Sequence, residues 1–269
     1  MLNDGLAINI VHAAGTDSME SVTHDSVSND TEALTDSLPE KRERAEALIR
    51  RLDPSFRQRW ELYDSILKRL TGPGARWLDA GCGSNIAIDE FPTDMNVGID
   101  IHRHPDLDFR PPNHFILGSL EKLPFRDGAF TLVSMNMVVE HLPDPHAVFA
   151  EIHRVLAPDG HVLVHTTNIH SPLVFLGTLV PEKIRHRLFT GVLDAHEKDV
   201  FRTYHRINTL GAFRRLKGFE AETVHAVQDL NWTNRLVFLC LLVYHQFTRL
   251  PGIWRLRTNL IVLLRKKTY

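Results

Sequence analysis

Trp77-Leu78-Asp79-Ala80-Gly81-Cys82-Gly83-Ser84-Asn85 runs an apolar strand into a tight glycine turn. Glycine reaches backbone angles that other residues avoid, and it lets a ligand approach the main chain closely. A turn of this kind at the carboxyl end of a parallel strand is where an open α/β fold takes a nucleotide-like ligand. Further on, Val97-Gly98-Ile99-Asp100-Ile101 ends a second apolar run in an acid, 17 residues past Gly83. A carboxylate there can accept both hydroxyls of a ribose, the task that dinucleotide folds give to an acid about 20 residues on. The third glycine of a G-x-G-x-x-G turn would fall at Ile86, and Pro92 interrupts the following helix. A pyrophosphate needs a close glycine-packed helix start, so NAD is disfavoured.

Outward from this turn, short apolar strands alternate with helical patterns. Strands are expected over 76–80, 97–100, 114–117, 130–134 and 162–166. Asp144-Pro145 opens an amphipathic helix that turns Phe149, Ile152 and Leu156 inward, and Pro158-Asp159-Gly160 closes it. Upstream, Asp53-Pro54 reads as another helix start, with Phe56, Trp60, Tyr63, Leu67 and Leu70 on one face. That helix stops at Thr71-Gly72-Pro73-Gly74. The alternation predicts an α/β fold with a parallel sheet and helices on both faces. Residues 169–208 read as an insertion, 209–216 as a helix, 219–227 as a strand, 235–250 as an almost wholly apolar helix and 259–264 as a buried strand.

The stretches LDAGCGSN, GID and GSLEKLPFRDGAFTLVSMNMVVEHLPDPHAVFAEIHRVLAPDGHVLVHTTN carry a resemblance in their order and spacing. They resemble the class I S-adenosylmethionine-dependent methyltransferases of the small-molecule, type 11-like kind, over roughly residues 75–168. The resemblance implies a Rossmann-like sheet of seven strands in the order 3-2-1-4-5-7-6, a helical insertion after strand five, and S-adenosylmethionine as cofactor. It also implies roles for single residues. Gly81 and Gly83, with Cys82 between them, match the turn along the methionine part of the cofactor, and Asp79 matches the acid near the methionine amine. Asp100 matches the ribose carboxylate and Ile101 the residue beside the adenine. Ser119 and Leu120 match the segment that caps the adenine, and Asn136 the position at the sulfonium end. Ser119 stands where the family often has Asp, Thr131 replaces a mostly structural Asp, and Asp159 replaces a turn glycine. None of these departures removes the cofactor site.

Methyl transfer from a sulfonium needs alignment above all, and a base where the acceptor is a hydroxyl. His141, which follows strand four, is the first candidate base, although a structural or pocket-lining role is favoured for it. Tyr204, with His205, is a second candidate inside the insertion, and His170 a weaker one. No metal set stands out: His102 with His104, or His161 with His165, lacks further ligands.

Two cysteines in 269 residues argue against a disulfide framework and fit a reduced, cytoplasmic compartment. Residues 1–38 read as a disordered acidic tail, and 39–269 as the methyltransferase domain with 169–208 as its cap-like insertion. Residues 1–40 carry eight acids and no Lys or Arg, whereas residues 231–269 carry seven bases and no acid. The remainder is near neutral, so a broad nucleic-acid-binding face is not expected. The apolar 235–250 helix either packs inside or sits at an interface, where its flanking bases would favour peripheral membrane contact through 235–267. The function expected is S-adenosylmethionine-dependent methylation of a small or amphipathic organic molecule. Oxygen is preferred because Asn136-Met137-Val138-Val139 lacks the Asn/Asp-Pro-Pro-aromatic run of amide- and base-methylating relatives. A non-catalytic S-adenosylmethionine-binding scaffold and an RNA methyltransferase are the alternatives.

Overall fold

Successive residues of a strand point to opposite faces of a sheet. In β1 (Gly72–Ala80) Leu78 and Ala80 enter one core and Trp77 the other. β4 (Phe130–Asn136) repeats the division with Val133 and Met135 against Leu132. β5 (Leu156–Thr167) does so with Val162 and Val164 against Leu163, and β7 (Asn259–Lys266) with Leu260 and Val262 against Ile261. Strands apolar on both faces belong in the middle of a three-layer α/β fold. The computed structural model describes residues 38–83, 91, 93–104, 115–180, 202–231 and 234–268. Residues 1–37, Ser84, Asn85, His114 and residues 181–201 of the expected insertion lie outside the described residues.

With β2 (Thr93–Asp100), β3 (Phe115–Leu117) and β6 (Phe219–Val227), the seven strands form one sheet in the order β3-β2-β1-β4-β5-β7-β6. β1 to β5 are parallel, and β7 runs antiparallel to both β5 and β6. The carboxyl ends of β1, β2, β4, β5 and β6 therefore share one edge. The fold and strand order expected from the sequence are present.

Helices cover both faces. α3 (Pro145–Val155) starts as expected, because Asp144 Oδ1 accepts the amides of His146 and Ala147 at 3.0 and 3.1 Å. It buries Val148, Phe149, Ile152 and Val155 on the Leu78 face, where α5 (Leu210–Arg214) adds Phe213. It ends sooner than expected, so Pro158-Asp159-Gly160 lies within β5, with Asp159 in the left-handed region at φ 58°. α2 (Arg59–Leu70) covers the Trp77 face with Tyr63, Ile66 and Leu67.

Asp53-Pro54 is not a helix start. α1 (Leu38–Leu52) ends there, and Asp53 Oδ1 accepts the Ser55 amide at 3.1 Å and the Ser55 hydroxyl at 2.6 Å, closing a turn. α2 begins six residues later, behind a capping box in which Glu61 Oε2 accepts the Gln58 amide. Phe56 consequently leaves the α2 face and meets His245 edge-on at 4.9 Å.

The apolar helix is α6 (Arg235–Thr248), between β6 and β7. Its buried face, Phe238, Leu242, His245 and Thr248, packs toward Ala45 and Ile49 of α1. Asp53 ties the two helices together. Its Oδ2 accepts His245 Nε2–H at 3.0 Å and lies 3.5 Å from Arg249 Nε, while Arg249 donates to the Leu52 carbonyl. Burial alone would raise the Asp53 carboxyl, but the Ser55 and His245 hydrogen bonds and the Arg249 charge outweigh it and hold it low. Asp53→Ala removes this shared acceptor, and leaving buried donors unpaired should lower unfolding free energy by about 3 kcal/mol, measured by urea denaturation.

Candidate active site

Two glycine angles shape the end of β1. Gly81 lies at φ 77°, and a Cβ there would sit 2.5 Å from Val138 Cγ2. Gly83 lies at φ 53° with open space where a Cβ would be. The turn rests on β2, since Ile99 O accepts the Gly81 amide at 2.8 Å and the Cys82 amide at 3.2 Å. Asp100 then closes it: Oδ2 accepts the Gly83 amide at 2.9 Å and Oδ1 the His102 amide at 3.0 Å. A carboxylate oxygen has two lone pairs, so both keep capacity for a ligand.

Beside Asp100, Ile101 and Leu117 stand 58% and 64% exposed at the ends of β2 and β3. They offer apolar surface to a flat ring next to an acceptor for a diol. The open Gly83 cradle, the held carboxylate and this apolar flank suit an adenosine. Ser119 is exposed beyond β3, and its Oγ accepts the Glu121 amide. Leu120 differs from the expectation: its side chain enters the main core, which leaves its backbone for any ligand contact.

Asp79 is buried beneath the turn, where Ser134 Oγ donates to its Oδ1, and Ser134 in turn accepts Trp77 Nε1–H at 2.7 Å. Tyr63 joins this group. Burial, then the Asp79 charge, pushes its phenol well up against a weaker pull from Ser134, so it stays protonated. Cys82 is a free thiol pushed up by burial and by the charges of Asp79 and Asp100. It is a poor nucleophile.

Asn136 ends β4 exposed to solvent. Its Oδ1 lies 2.6 Å from His165 Nδ1 on the paired strand. Burial, aided by the Arg59 charge, takes His165 down to about 3, so the ring is neutral and Nδ1–H donates to Asn136. The chain then swings away at Met137, in the left-handed region at φ 57°. A 3-10 turn, Val139–His141, follows.

Residues 202–208 lie across that turn as a strap. Glu140 O accepts the Tyr204 amide at 2.7 Å and the His205 amide at 3.2 Å. His141 Nδ1 meets Arg202 O at 3.0 Å, and the Arg202 guanidinium lies 5.2 Å over the Tyr204 ring. Thr166 joins turn and strap from β5, donating to Glu140 Oε2 at 2.7 Å and accepting Asn208 Nδ2–H at 2.6 Å. Burial raises the Glu140 carboxyl, opposed by that Thr166 bond. His141 and Tyr204, 63 residues apart in sequence, thus sit together, whereas His170 is an exposed residue after β5. Among the described residues no group of three His, Cys, Asp or Glu could hold a metal ion. His161 faces Glu222 instead of His165.

Tyr63, Ser134, Glu140, Thr166 and Asn208 were absent from the expected site. The signal for four of them is a polar residue inside an apolar strand or turn, which has to find a partner when buried. The neutral, buried His165 also sets a pH response. Its pKa is lower in the fold than the ordinary 6.5, so its contribution is present above that value and is lost as pH falls toward 3. Urea denaturation at pH 7.5 and pH 5 should show an acid loss smaller by about 2 kcal/mol in His165→Gln than in the parent chain.

Known proteins share the sequence family and the fold. A methyltransferase-domain family model matches residues 55–222. An uncharacterized methyltransferase of Schizosaccharomyces pombe is 26% identical over 178 residues, 58% of this chain and 58% of that protein. The match thus spans little more than half of that relative's length. A ubiquinone biosynthesis O-methyltransferase of Pseudomonas aeruginosa is 28% identical over 166 residues, 56% of this chain and 67% of that protein. A solved Listeria monocytogenes structure, assigned as an S-adenosylmethionine-dependent methyltransferase, aligns with a TM-score of 0.51 at 13% identity. It covers 77% of this chain and 98% of its own, and it shows the same fold. Family model, strand order and glycine-turn geometry agree: the chain belongs to the class I S-adenosylmethionine-dependent methyltransferases.

Proposed function

We propose that this chain transfers the methyl group of S-adenosylmethionine to an oxygen of a small or amphipathic organic molecule. The observation that carries the reading is the strap: His141 and Tyr204 are held at the same sheet edge as Asn136 and the glycine turn. The O-methyltransferase relative supports oxygen as the acceptor atom. Residues 39–269 act as the methyltransferase domain in this reading, with 1–38 as an acidic tail and 169–208 as a cap on the acceptor side.

Bound S-adenosylmethionine supplies a methyl group on a positively charged sulfur, a good leaving group. The chain's own residues then have three tasks. Asp100 accepts the ribose hydroxyls while its Gly83 bond keeps it oriented, and Ile101, Ser119 and the Leu120 backbone hold the base. Gly81, Cys82 and Gly83 would leave room for the methionine part along the main chain, with Asp79 beneath the turn, and Asn136, fixed by neutral His165, would hold the sulfonium end. His141 takes the acceptor proton. With Nδ1–H donating to Arg202 O, the lone pair of the neutral ring is on Nε2. Taking that proton would leave the acceptor oxygen's electron pair free for the methyl group that the bound donor would supply. Tyr204, paired with Arg202, orients the acceptor hydroxyl.

Two substitutions separate these tasks. Calorimetry should show Asp100→Ala weakening S-adenosylmethionine binding by about 1–3 kcal/mol, because buried hydroxyls lose a charged partner. His141→Ala should keep that affinity and lower the rate of methyl-label transfer to fractionated small-molecule extract by about 100-fold. Label in the RNA fraction, or full turnover by His141→Ala, would contradict the reading.

A further inference from the structure

Two neighbouring helices at the site edge expose large apolar side chains. On α6, Leu236, Val243 and Phe247 form a stripe at helical spacing, and Leu236 and Val243 are 71% and 70% exposed. This stripe lies opposite the Phe238–Leu242–His245 face that is buried against α1, so it is not core. α4 (Pro172–Leu179) buries none of its residues, and Phe175, Leu176 and Leu179 are half or more exposed. Ser171, the N-cap of α4, lies 3.3 Å from the Tyr244 hydroxyl of α6, so the helices are neighbours. α4 follows the end of β5, and α6 lies between the end of β6 and the start of β7. Both thus stand on the edge that carries Asn136 and the exposed Met137.

Among the described residues of α4, α6 and 249–257, every Lys, Arg, Asp or Glu is an arginine. Arg235 begins α6 and Arg255 follows it, both exposed, and residues 231–269 contain no acid. α4 is uncharged. The sequence suggested that the whole basic end, 235–267, would act together, and the fold divides it. β7 carries Arg265 to the far edge of the sheet, where it pairs with Glu220 and Glu222, while Lys266 donates to Leu156 O. Arg249 is tied to Asp53.

We propose that the α4–α6 face docks on an anionic lipid bilayer, holding the acceptor side of the site against the membrane surface. Apolar side chains flanked by two exposed arginines, Arg235 and Arg255, match an interface of acyl chains beneath anionic headgroups. A second copy of the chain fits this charge poorly. A two-fold contact would set arginine against arginine, with no acid on α4 or α6 to separate them. Among the described residues no helix is long and apolar enough to cross a membrane, so the contact is peripheral. The docking itself goes beyond methyl transfer; only the identity of that edge as the acceptor side rests on the proposed function.

The test is co-sedimentation of the full chain with vesicles of phosphatidylcholine alone and of phosphatidylcholine with phosphatidylglycerol. The chain should bind the mixed vesicles and favour them over the neutral ones. Combining Leu236→Gln, Val243→Gln and Phe247→Gln should weaken vesicle binding about tenfold, and Lys267→Gln should leave it unchanged. Calorimetry with S-adenosylmethionine on the same samples checks the fold and the donor site separately, so loss of vesicle binding alone concerns the docking face. A parent chain that ignores mixed vesicles overturns the proposal. So does a triple variant that binds them equally well, or a parent dimer that the triple variant abolishes in sedimentation velocity.

Discussion

The Asp100 carboxylate accepts the Gly83 amide across the ends of β1 and β2, and the geometry of the proposed donor site rests on that bond. It holds because Gly81 turns the chain through an angle at which other residues strain, and because Val138 leaves no room for a Cβ. Ile99 O anchors the same turn from below. The fold thus orients the carboxylate before any ligand arrives, which lowers the ordering cost of binding.

The proposed acceptor side is built differently, from long-range bonds to one short turn. Glu140 holds the strap with its backbone oxygen and reaches Thr166 with its carboxyl, and Thr166 reaches Asn208. Glu140, Thr166 and Asn208 are all buried, so these bonds couple strap and turn, while Glu140 Oε1 and Asn208 Oδ1 find no partner among the described residues. Two non-glycine residues sit in the left-handed region on this surface, Met137 and His205, at φ 57° and 48°. Strain of that kind persists where surrounding bonds fix it, and it is concentrated at functional sites.

What could be read in the sequence follows from which forces are local. The central strands were legible because burial on both faces requires unbroken apolar runs. The glycine turn and Asp100 were legible because backbone angle and charge are carried by single residues. Asp53-Pro54 misled, since an Asp side chain that accepts backbone amides serves a turn as well as a helix cap. The basic end also misled, because β7 carries Arg265 through about 20 Å of extended chain, away from α6. Ser134 and Thr166 were silent, since a hydroxyl inside an apolar strand names no partner until the fold supplies Asp79 and Glu140.

We propose that the Asp100 carboxylate, fixed by the Gly83 and His102 amides, holds the donor's ribose. A crystal structure of the chain with S-adenosylhomocysteine tests it most directly. The account predicts both ribose hydroxyls within hydrogen-bond distance of the Asp100 carboxylate, with the Gly83 bond kept and the thioether sulfur facing Asn136. A ribose bound elsewhere, or an Asp100 side chain turned away from it, would contradict the account.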